Sequence, residues 1–221
     1  VYDIPEGNRQ SKGRAIQNLV QIEGGDKVVA YLNVDDLTSE EYLNNHFVVL
    51  CTKKGIIKKT TLEAYSRPRS NGIIAVGIRE GDELLEARLT NGNSHVILAS
   101  RDGKAIHFEE SDVRPMGRGA SGVRGMNLGD EAGNEVVGMI TIDKAETATR
   151  QVLVVSDKGY GKRSPVDDYR IINRGGKGVK TIQVTDKTGN LIAIKDVKDD
   201  DQLMIINHSG MTIRMGLDEM R

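Results

Sequence analysis

The residues with the clearest capacity for chemistry are lysines and arginines that concentrate in two segments of the chain. Segment 53–79 holds seven of them against one acidic residue, a net charge of +6, and segment 158–180 holds seven against two, a net charge of +5. Neighbouring stretches, such as 24–46 and 128–146, are acidic, so the formal net charge of the whole chain is only −1. Sorting of this kind predicts a basic surface that binds the charged backbone of a polyanion, with acidic surface elsewhere.

The candidate phosphate contacts lie on the second strand of each predicted repeat and in the loop that follows it. They are Lys58, Lys59, Arg67, Arg69, Arg114, Arg118, Lys162, Arg163, Arg170, Arg174, Lys177 and Lys180. The alternative is that these segments are ordinary solvated turns whose charges serve solubility. Their recurrence at the same positions of an internal repeat favours polyanion binding.

Other chemistries fail on their context. The sequence Gly-Arg-Gly-Ala-Ser-Gly at 117–122 spells a dinucleotide-binding fingerprint, but it precedes a predicted strand and opens no helix. The sequence Gly-Gly-Lys-Gly at 175–178 lacks the Ser or Thr that a phosphate loop needs after its lysine. The four histidines are scattered without metal-ligand spacing, and nothing pairs a nucleophile with a base. We therefore expect no catalytic residue and no metal site.

The elements that must position these cations form an internal repeat. Each unit centres on a glycine, at Gly55, Gly103, Gly159 and Gly210, spaced 48, 56 and 51 residues apart. An apolar run lies seven to four residues before each of them, and a basic or titratable residue lies four residues after it. A unit of this kind indicates four strands. A glycine turn joins the first two, a basic loop joins the second to the third, and a Gly-Asp or Gly-Asn turn joins the third to the fourth.

The repeat predicts an all-β fold, a propeller-like array of four-stranded antiparallel blades that continues in a larger disc. Among its strands we expect Val28–Leu32, Leu84–Leu89, Val136–Ile140, Leu191–Val197 and Val179–Val184, with Tyr65, Val113 and Tyr169 in the core and segments 38–46 and 143–150 as connectors between blades. The repeats span 1–37 (partial), 47–93, 95–146, 151–201 and 202–221 (partial), in one domain over 1–221.

Composition sets further bounds. Hydrophobic residues make up 38% of the chain but aromatic residues only 4%, so Val, Ile and Leu must supply the core. The one cysteine, Cys51, lies in an apolar run, which predicts a buried thiol in a reducing compartment. No apolar run approaches the roughly 20 residues that a membrane span needs, so we expect no membrane partner.

The segment Arg174-Gly175-Gly176-Lys177-Gly178 resembles the gyrase A box, Gln-Arg-Arg-Gly-Gly-Lys-Gly. Five of the seven box positions match, with Ile172 and Asn173 in place of Gln and Arg. Segments 2–6, 121–125 and 159–163 also resemble the C-terminal domain of the DNA gyrase A protein, and the resemblance covers essentially the whole chain. In that family the box lies in the first blade, whereas here it comes late. We therefore interpret 170–178 as a box-like loop of a later blade.

The resemblance implies a β-pinwheel, a propeller-like disc whose blades exchange strands with their neighbours. It also implies that the basic rim binds, bends and wraps double-stranded DNA without sequence readout, for negative supercoiling by a type II topoisomerase in the bacterial cytoplasm, at the nucleoid. The catalytic residues, with ATP and Mg, would belong to the rest of the gyrase A protein and to its gyrase B partner, so no cofactor is expected here. The alternatives are the similar C-terminal domain of topoisomerase IV and a propeller that binds an acidic protein partner.

Overall fold

The computed structural model of the chain describes residues 6–8, 10–15, 18, 25–69, 72–207 and 209–217. Over these residues the fold is all-β, apart from one short helix, α1 (Glu40–Asn45), and four 3-10 turns. The strands are β1 (Phe47–Thr52), β2 (Ile56–Thr61), β3 (Leu84–Thr90), β4 (Ser94–Ser100), β5 (Lys104–Glu109), β6 (Val123–Arg124), β7 (Val136–Asp143), β8 (Gln151–Ser156), β9 (Gly161–Pro165), β10 (Val179–Lys180), β11 (Leu191–Val197), β12 (Gln202–Ile206) and β13 (Thr212–Gly216).

The four glycines at the centre of the repeat occupy the same backbone conformation. Their φ angles are 77° at Gly55, 81° at Gly103, 80° at Gly159 and 80° at Gly210. A residue with a side chain rarely adopts this left-handed conformation, so glycine sets the turn between the first two strands of each repeat. The prediction of four equivalent hairpins, β1–β2, β4–β5, β8–β9 and β12–β13, is confirmed.

Each complete blade borrows its outermost strand from the next repeat. The first sheet has the order β3-β1-β2-β6, and β6 belongs to the repeat that follows. The second has the order β10-β5-β4-β7, and β10 again comes from the following repeat. A third sheet, β11-β8-β9, has three strands within the described residues. The antiparallel blades and their strand exchange agree with the predicted β-pinwheel.

The last strands of the repeats lie side by side at the inner edge of the blades. Strand β7 contacts both β3 and β11. The approach is close: a Cβ placed on Gly138 of β7 would meet Cγ2 of Ile194 in β11 at 2.7 Å. The cores between blades consist mainly of Val, Ile and Leu, and they include Cys51, which is fully buried with a free thiol. Burial raises the pKa of that thiol well above its usual range. The opposite, outer edge carries β6 and β10.

Most predicted strands and core positions are confirmed, and two strands need correction. Val179–Val184 forms a strand only at Val179–Lys180, because only those residues pair with β5. Val28–Leu32 is not a strand. In the repeat unit this segment pairs with the first strand of its own hairpin, and the described residues contain no such hairpin for it. Side chains of this region pack instead against the first blade.

The predicted core and connector positions are otherwise confirmed. Val113 and Tyr169 are buried, and Tyr65 is half-buried with its hydroxyl donating to the Ala75 carbonyl at 3.1 Å. The connector 38–46 contains α1, and 143–150 contains a 3-10 turn. Segment 2–6 lies outside the described residues apart from Glu6. Within the part that the structure describes, no helix is long and apolar enough to cross a membrane.

Candidate nucleic-acid interface

Three successive loops form the outer edge of the blades. We name them rim loop 1 (66–81, described except for 70 and 71), rim loop 2 (113–124) and rim loop 3 (169–180). Each follows the second strand of its repeat. Strand β6 ends rim loop 2 and pairs with β2, and strand β10 ends rim loop 3 and pairs with β5. Each of these two loops therefore lies over the second strand of the preceding hairpin.

Rim loop 2 is attached at both ends to β2. The Met116 amide donates to the Lys59 carbonyl at 2.8 Å, and Val123 and Arg124 pair with Ile57 and Ile56. Residues 117–122 project between these attachments. The dinucleotide fingerprint at 117–122 is thus a loop at the end of a blade that opens no helix, as its context predicted.

Rim loop 3 repeats the same arrangement on β5. The Ile172 amide donates to the His107 carbonyl at 2.8 Å, and the second attachment is the pairing of β10 with β5. Residues 173–178, which belong to the box-like loop, project between the two attachments. They occupy the position in the second blade that 117–122 occupy in the first.

Neighbouring rim loops touch through their backbones. The Gly77 amide donates to the Ala120 carbonyl at 3.2 Å, which joins rim loop 1 to rim loop 2. The Gly175 amide donates to the Gly125 carbonyl at 2.6 Å, and the Asn127 amide donates to the Gly176 carbonyl at 2.9 Å, so rim loop 3 touches the residues that directly follow rim loop 2. The three rim loops therefore form one continuous surface across successive blades, which we call the basic belt.

Most predicted cations of the basic belt are exposed, and none of them forms an ion pair with a carboxylate of the described residues. The exposed ones are Arg67, Arg69, Arg114, Arg170, Lys177 and Lys180, and Arg118 and Arg174 are partly buried. Lys162, on β9, is also exposed and unpaired over the same residues. Exposed cations without a carboxylate partner are free to neutralise an external polyanion.

Several cations away from the basic belt are paired instead. Arg150 binds Glu146 at 2.6 Å and Asp196 at 3.0 Å, and Lys53 binds Glu83 at 2.7 Å. Of the predicted contacts, Arg163 belongs to this class, because its guanidinium lies 3.1 Å from the Asp199 carboxylate.

The prediction that Lys58 and Lys59 contact phosphates is corrected by their burial. Lys58 is 1% exposed, and its ammonium donates to the carbonyl of Ala75 at 2.7 Å and to that of Arg118. Burial lowers the pKa of this ammonium, and the nearby Arg118 charge lowers it further. Because one carbonyl belongs to rim loop 1 and the other to rim loop 2, Lys58 fastens the two loops together.

In the first two hairpins, the residue four positions after the central glycine donates to a carbonyl of the following repeat. Lys59 is 5% exposed and donates to the Glu110 carbonyl at 3.1 Å. In the next repeat His107 takes this position, and its Nδ1 donates to the Tyr169 carbonyl at 2.6 Å. The recurring titratable residue thus serves structure in both repeats. Sequence alone could not show this, because the covering loop comes from the following repeat.

Two exposed cations of the basic belt, Arg79 and Arg124, are absent from the predicted set, and the repeat could have identified Arg124. Arg124 lies two residues after Gly122, just as Lys180 lies two residues after Gly178. Both residues are exposed on the short outer strands β6 and β10. Among the described residues, no cluster of three or more His, Cys, Asp or Glu side chains could hold a metal ion.

Comparison with known families agrees with this geometry. The family model described as DNA gyrase C-terminal domain, beta-propeller, matches residues 1–35, 46–91, 94–143 and 150–198. The chain belongs to this family. Each matched segment beyond residue 35 begins at or just before the hairpin of one repeat and ends at or just after its last strand.

Individual relatives point to the same family. The chain is 42% identical over 215 residues to the DNA gyrase A protein of Staphylococcus aureus (strain NCTC 8325 / PS 47), covering 97% of this chain and 23% of that protein. It is 40% identical over 219 residues to the DNA gyrase A protein of Staphylococcus epidermidis (strain ATCC 12228 / FDA PCI 1200), covering 99% and 24%. The chain thus spans about a quarter of the length of these curated relatives.

Two solved structures share the fold. The crystal structure of the C-terminal domain of DNA topoisomerase IV superposes with a TM-score of 0.82 at 22% identity, covering 95% of this chain and 62% of that chain. A structure of the DNA gyrase A C-terminal domain superposes with a TM-score of 0.78 at 25% identity, covering 92% and 65%. The predicted β-pinwheel of the gyrase C-terminal domain family is confirmed.

In this gyrase-family chain, the box-like loop is tied to the blade before it. The Arg174 guanidinium donates through Nε to the Asp112 carbonyl at 2.9 Å and through Nη1 to the Arg124 carbonyl at 3.1 Å. These bonds use two of its five N–H groups, so the others stay available to a phosphate. Lys177 is exposed at the tip. Arg174 therefore joins rim loops 2 and 3 and still presents charge.

The glycines of the box-like loop serve different purposes, which alanine substitution separates. Gly178 has φ 77°, and a Cβ there would collide with the Ala105 carbonyl, whereas a Cβ on Gly176 has its nearest neighbours at 3.6 Å. Ala120 already occupies the position equivalent to Gly176 in rim loop 2. We expect Gly178→Ala to lower the free energy of unfolding by at least about 1–3 kcal/mol and Gly176→Ala to change it little.

Gly175 lies between these cases, because its φ is 83° but its Cβ would have room. Alanine there should cost about 1 kcal/mol from backbone strain alone. Thermal and urea unfolding of the three single variants measures their order of destabilisation, which should be greatest for Gly178→Ala and smallest for Gly176→Ala. Equal destabilisation by Gly176→Ala and Gly178→Ala would contradict this assignment of the loop conformation.

Proposed function

We propose that this chain binds double-stranded DNA along the basic belt and bends it around the rim of the blades, as the DNA-wrapping part of a gyrase A protein. The observation that carries the proposal is the row of exposed cations on three touching loops, none of which forms an ion pair with a described carboxylate. Phosphate neutralisation by Lys and Arg releases counterions and supplies sequence-independent affinity.

A duplex that follows the basic belt across successive blades would have to bend. Bending 20–30 base pairs through 40–90° costs on the order of 1–6 kcal/mol, so one loop is insufficient and several must act together. The backbone bonds between rim loops and the Lys58 ammonium hold the loops in fixed relative positions. A rigid row of cations can therefore exceed the bending cost without reorganising.

In the whole enzyme, we infer that negative supercoiling requires ATP, Mg, the rest of the gyrase A protein and the gyrase B protein. This chain would then supply the wrapped DNA and have no activity by itself. The relatives with the matching sequence are bacterial, which supports a place in the bacterial cytoplasm with the nucleoid DNA. The fold similarity to topoisomerase IV keeps the corresponding domain of that enzyme as a second candidate, while the 40–42% identity to gyrase A proteins favours gyrase.

Salt dependence tests the proposal. If about 6–8 cations of the basic belt neutralise phosphates, the logarithm of the affinity should fall with the logarithm of the salt concentration at a slope of roughly −5 to −7. Titration of labelled linear and relaxed circular duplexes at several salt concentrations measures this slope. A slope near −1, or binding confined to one duplex sequence, would favour a local protein-binding patch and refute DNA wrapping.

A further inference from the structure

An arginine followed by an exposed apolar residue recurs in all three rim loops. The pairs are Arg67-Pro68, Arg114-Pro115 and Arg170-Ile171. All six residues are exposed, and Ile171 retains 52% of its accessible surface. Single exposed apolar residues are common on protein surfaces and need no explanation. Chance exposure does not explain why an exposed apolar residue recurs beside an arginine on the same edge of successive blades.

The second and third pairs stand on rigid supports. A buried core residue precedes each pair, Val113 in one case and Tyr169 in the other. The backbones of Pro115 and Ile171 form parallel bridges to β2 and β5, the second strands of the preceding hairpins. The amide that follows each pair donates to that same strand at 2.8 Å. The backbone is therefore fixed on both sides, and the two side chains face outward.

This arrangement suits one site on a bent duplex. DNA curved around a protein narrows its minor groove where that groove faces inward, and the narrow groove attracts arginine through its enhanced negative potential. The exposed Pro or Ile beside each arginine can pack against the sugar edges of this narrowed groove without unstacking bases, since unstacking from the minor groove would kink the duplex toward the major groove and away from the protein. Flanking cations of the basic belt, such as Lys177, would then meet the phosphates on either side of the groove.

We propose that Arg114-Pro115 and Arg170-Ile171 enter the minor groove of the bound duplex at successive inward-facing positions and set its bend there. The proposal rests on the proposed function and names the groove and the residues that deform it. It predicts a modest preference for flexible pyrimidine–purine steps at those positions, without direct readout of bases.

The test uses the double variant Pro115→Ser with Ile171→Ser, which keeps every charge of the belt. The matched control is Ile192→Ser, on the inner strand β11, because Ile192 is similarly exposed at 49%. Energy transfer between the ends of a labelled duplex measures bending, and titration at the same salt concentration measures affinity. Melting temperatures of both variants should equal that of the unaltered chain, because the substituted side chains are exposed.

We expect the unaltered chain and the control to bend a duplex with TA steps at ~10-base-pair spacing about fivefold more readily than one without them. The double variant should lose this preference and change affinity by less than about twofold, since its phosphate contacts remain. Netropsin, which occupies the minor groove, should suppress bending by the unaltered chain. Unchanged bending in the double variant, or insensitivity to netropsin, would overturn the minor-groove assignment alone. Failure of the unaltered chain to bind duplex DNA would overturn the proposed function as well.

Discussion

Neutralising two adjacent rim loops should weaken DNA binding about 1,000-fold at about 0.1 M salt and abolish bending. The variant replaces Arg114, Arg118, Arg170 and Lys177 with glutamine. Four lost phosphate contacts should reduce the salt slope by about 3.6, because each neutralised phosphate contributes about 0.9. At this salt concentration each phosphate contact raises the binding affinity by close to a factor of ten, and we expect most of that gain to be lost at each substituted site.

Bending should fail before binding does. The remaining cations of rim loop 1, with Arg124, Lys162, Arg174 and Lys180, can still hold a straight duplex. They are too few and too widely separated to offset a deformation cost of about 1–6 kcal/mol. Neutralising one loop alone should therefore lower affinity modestly and leave partial bending. Energy transfer between duplex ends and titrations over a salt series distinguish these outcomes.

A matched control removes the same number of charges from paired positions. Lys53, Arg101, Lys144 and Lys198 each form an ion pair with a carboxylate, and none lies in the basic belt. Their replacement with glutamine should leave the salt slope and the bend nearly unchanged. Equal losses in the two variants would show that only net charge matters and would contradict a specific rim path.

The second large effect concerns a buried ion pair between the first two blades. Glu110 is 1% exposed, and its Oε1 lies 3.6 Å from the Lys59 ammonium. The same carboxylate accepts from the Thr90 hydroxyl at 2.7 Å and from the Ser94 amide at 3.2 Å. We expect Glu110→Leu to lower the free energy of unfolding by about 3–5 kcal/mol, because it leaves a buried ammonium without its partner.

The repeat supplies the control for this prediction. The position of Glu110, seven residues after the central glycine, is held by Leu62, Val166 and Leu217 in the other repeats, and all three are buried. Leucine therefore fits the site in shape. The double variant Lys59→Met with Glu110→Leu should recover most of the lost stability, since an apolar pair of similar volume can replace a buried ion pair without loss.

Urea unfolding of the four members of this cycle measures the coupling between the two residues. The two single variants should each be strongly destabilised, and the double variant should be more stable than either. Additive losses in the double variant would show that Lys59 and Glu110 act independently, through the Thr90 and Ser94 hydrogen bonds or through packing alone.

The elements that the sequence predicts best are those determined by local conformation. Glycine at a positive φ marks the hairpin turn at Gly55 and at Gly103, and an apolar run marks the first strand of each hairpin. Both signals act within about ten residues, so their period is visible without a structure. The sorting of charge by repeat position is visible from the same period, and it identifies most of the exposed cations of the basic belt.

The errors arise where distant segments meet. The sequence predicts Lys58 and Lys59 as surface cations because they end a strand with polar character, yet rim loop 2 of the next repeat covers them. The strand predicted at Val28–Leu32 needs a hairpin partner from its own repeat, and a pattern of apolar residues cannot supply one. In each case pairing between repeats decides the outcome.

The sequence by itself therefore determined the all-β repeat, its turns, the inward-facing apolar runs and the side of each repeat that carries positive charge. Only the tertiary structure decided which cations remain exposed, which become buried joints such as Lys58, and how the three rim loops join into one surface. The physical reason is that strand exchange brings together segments that are 60 residues apart, as in the contact of Lys58 with Arg118. Burial and hydrogen-bond partners depend on those contacts, whereas turn conformation and strand periodicity depend on neighbours along the chain.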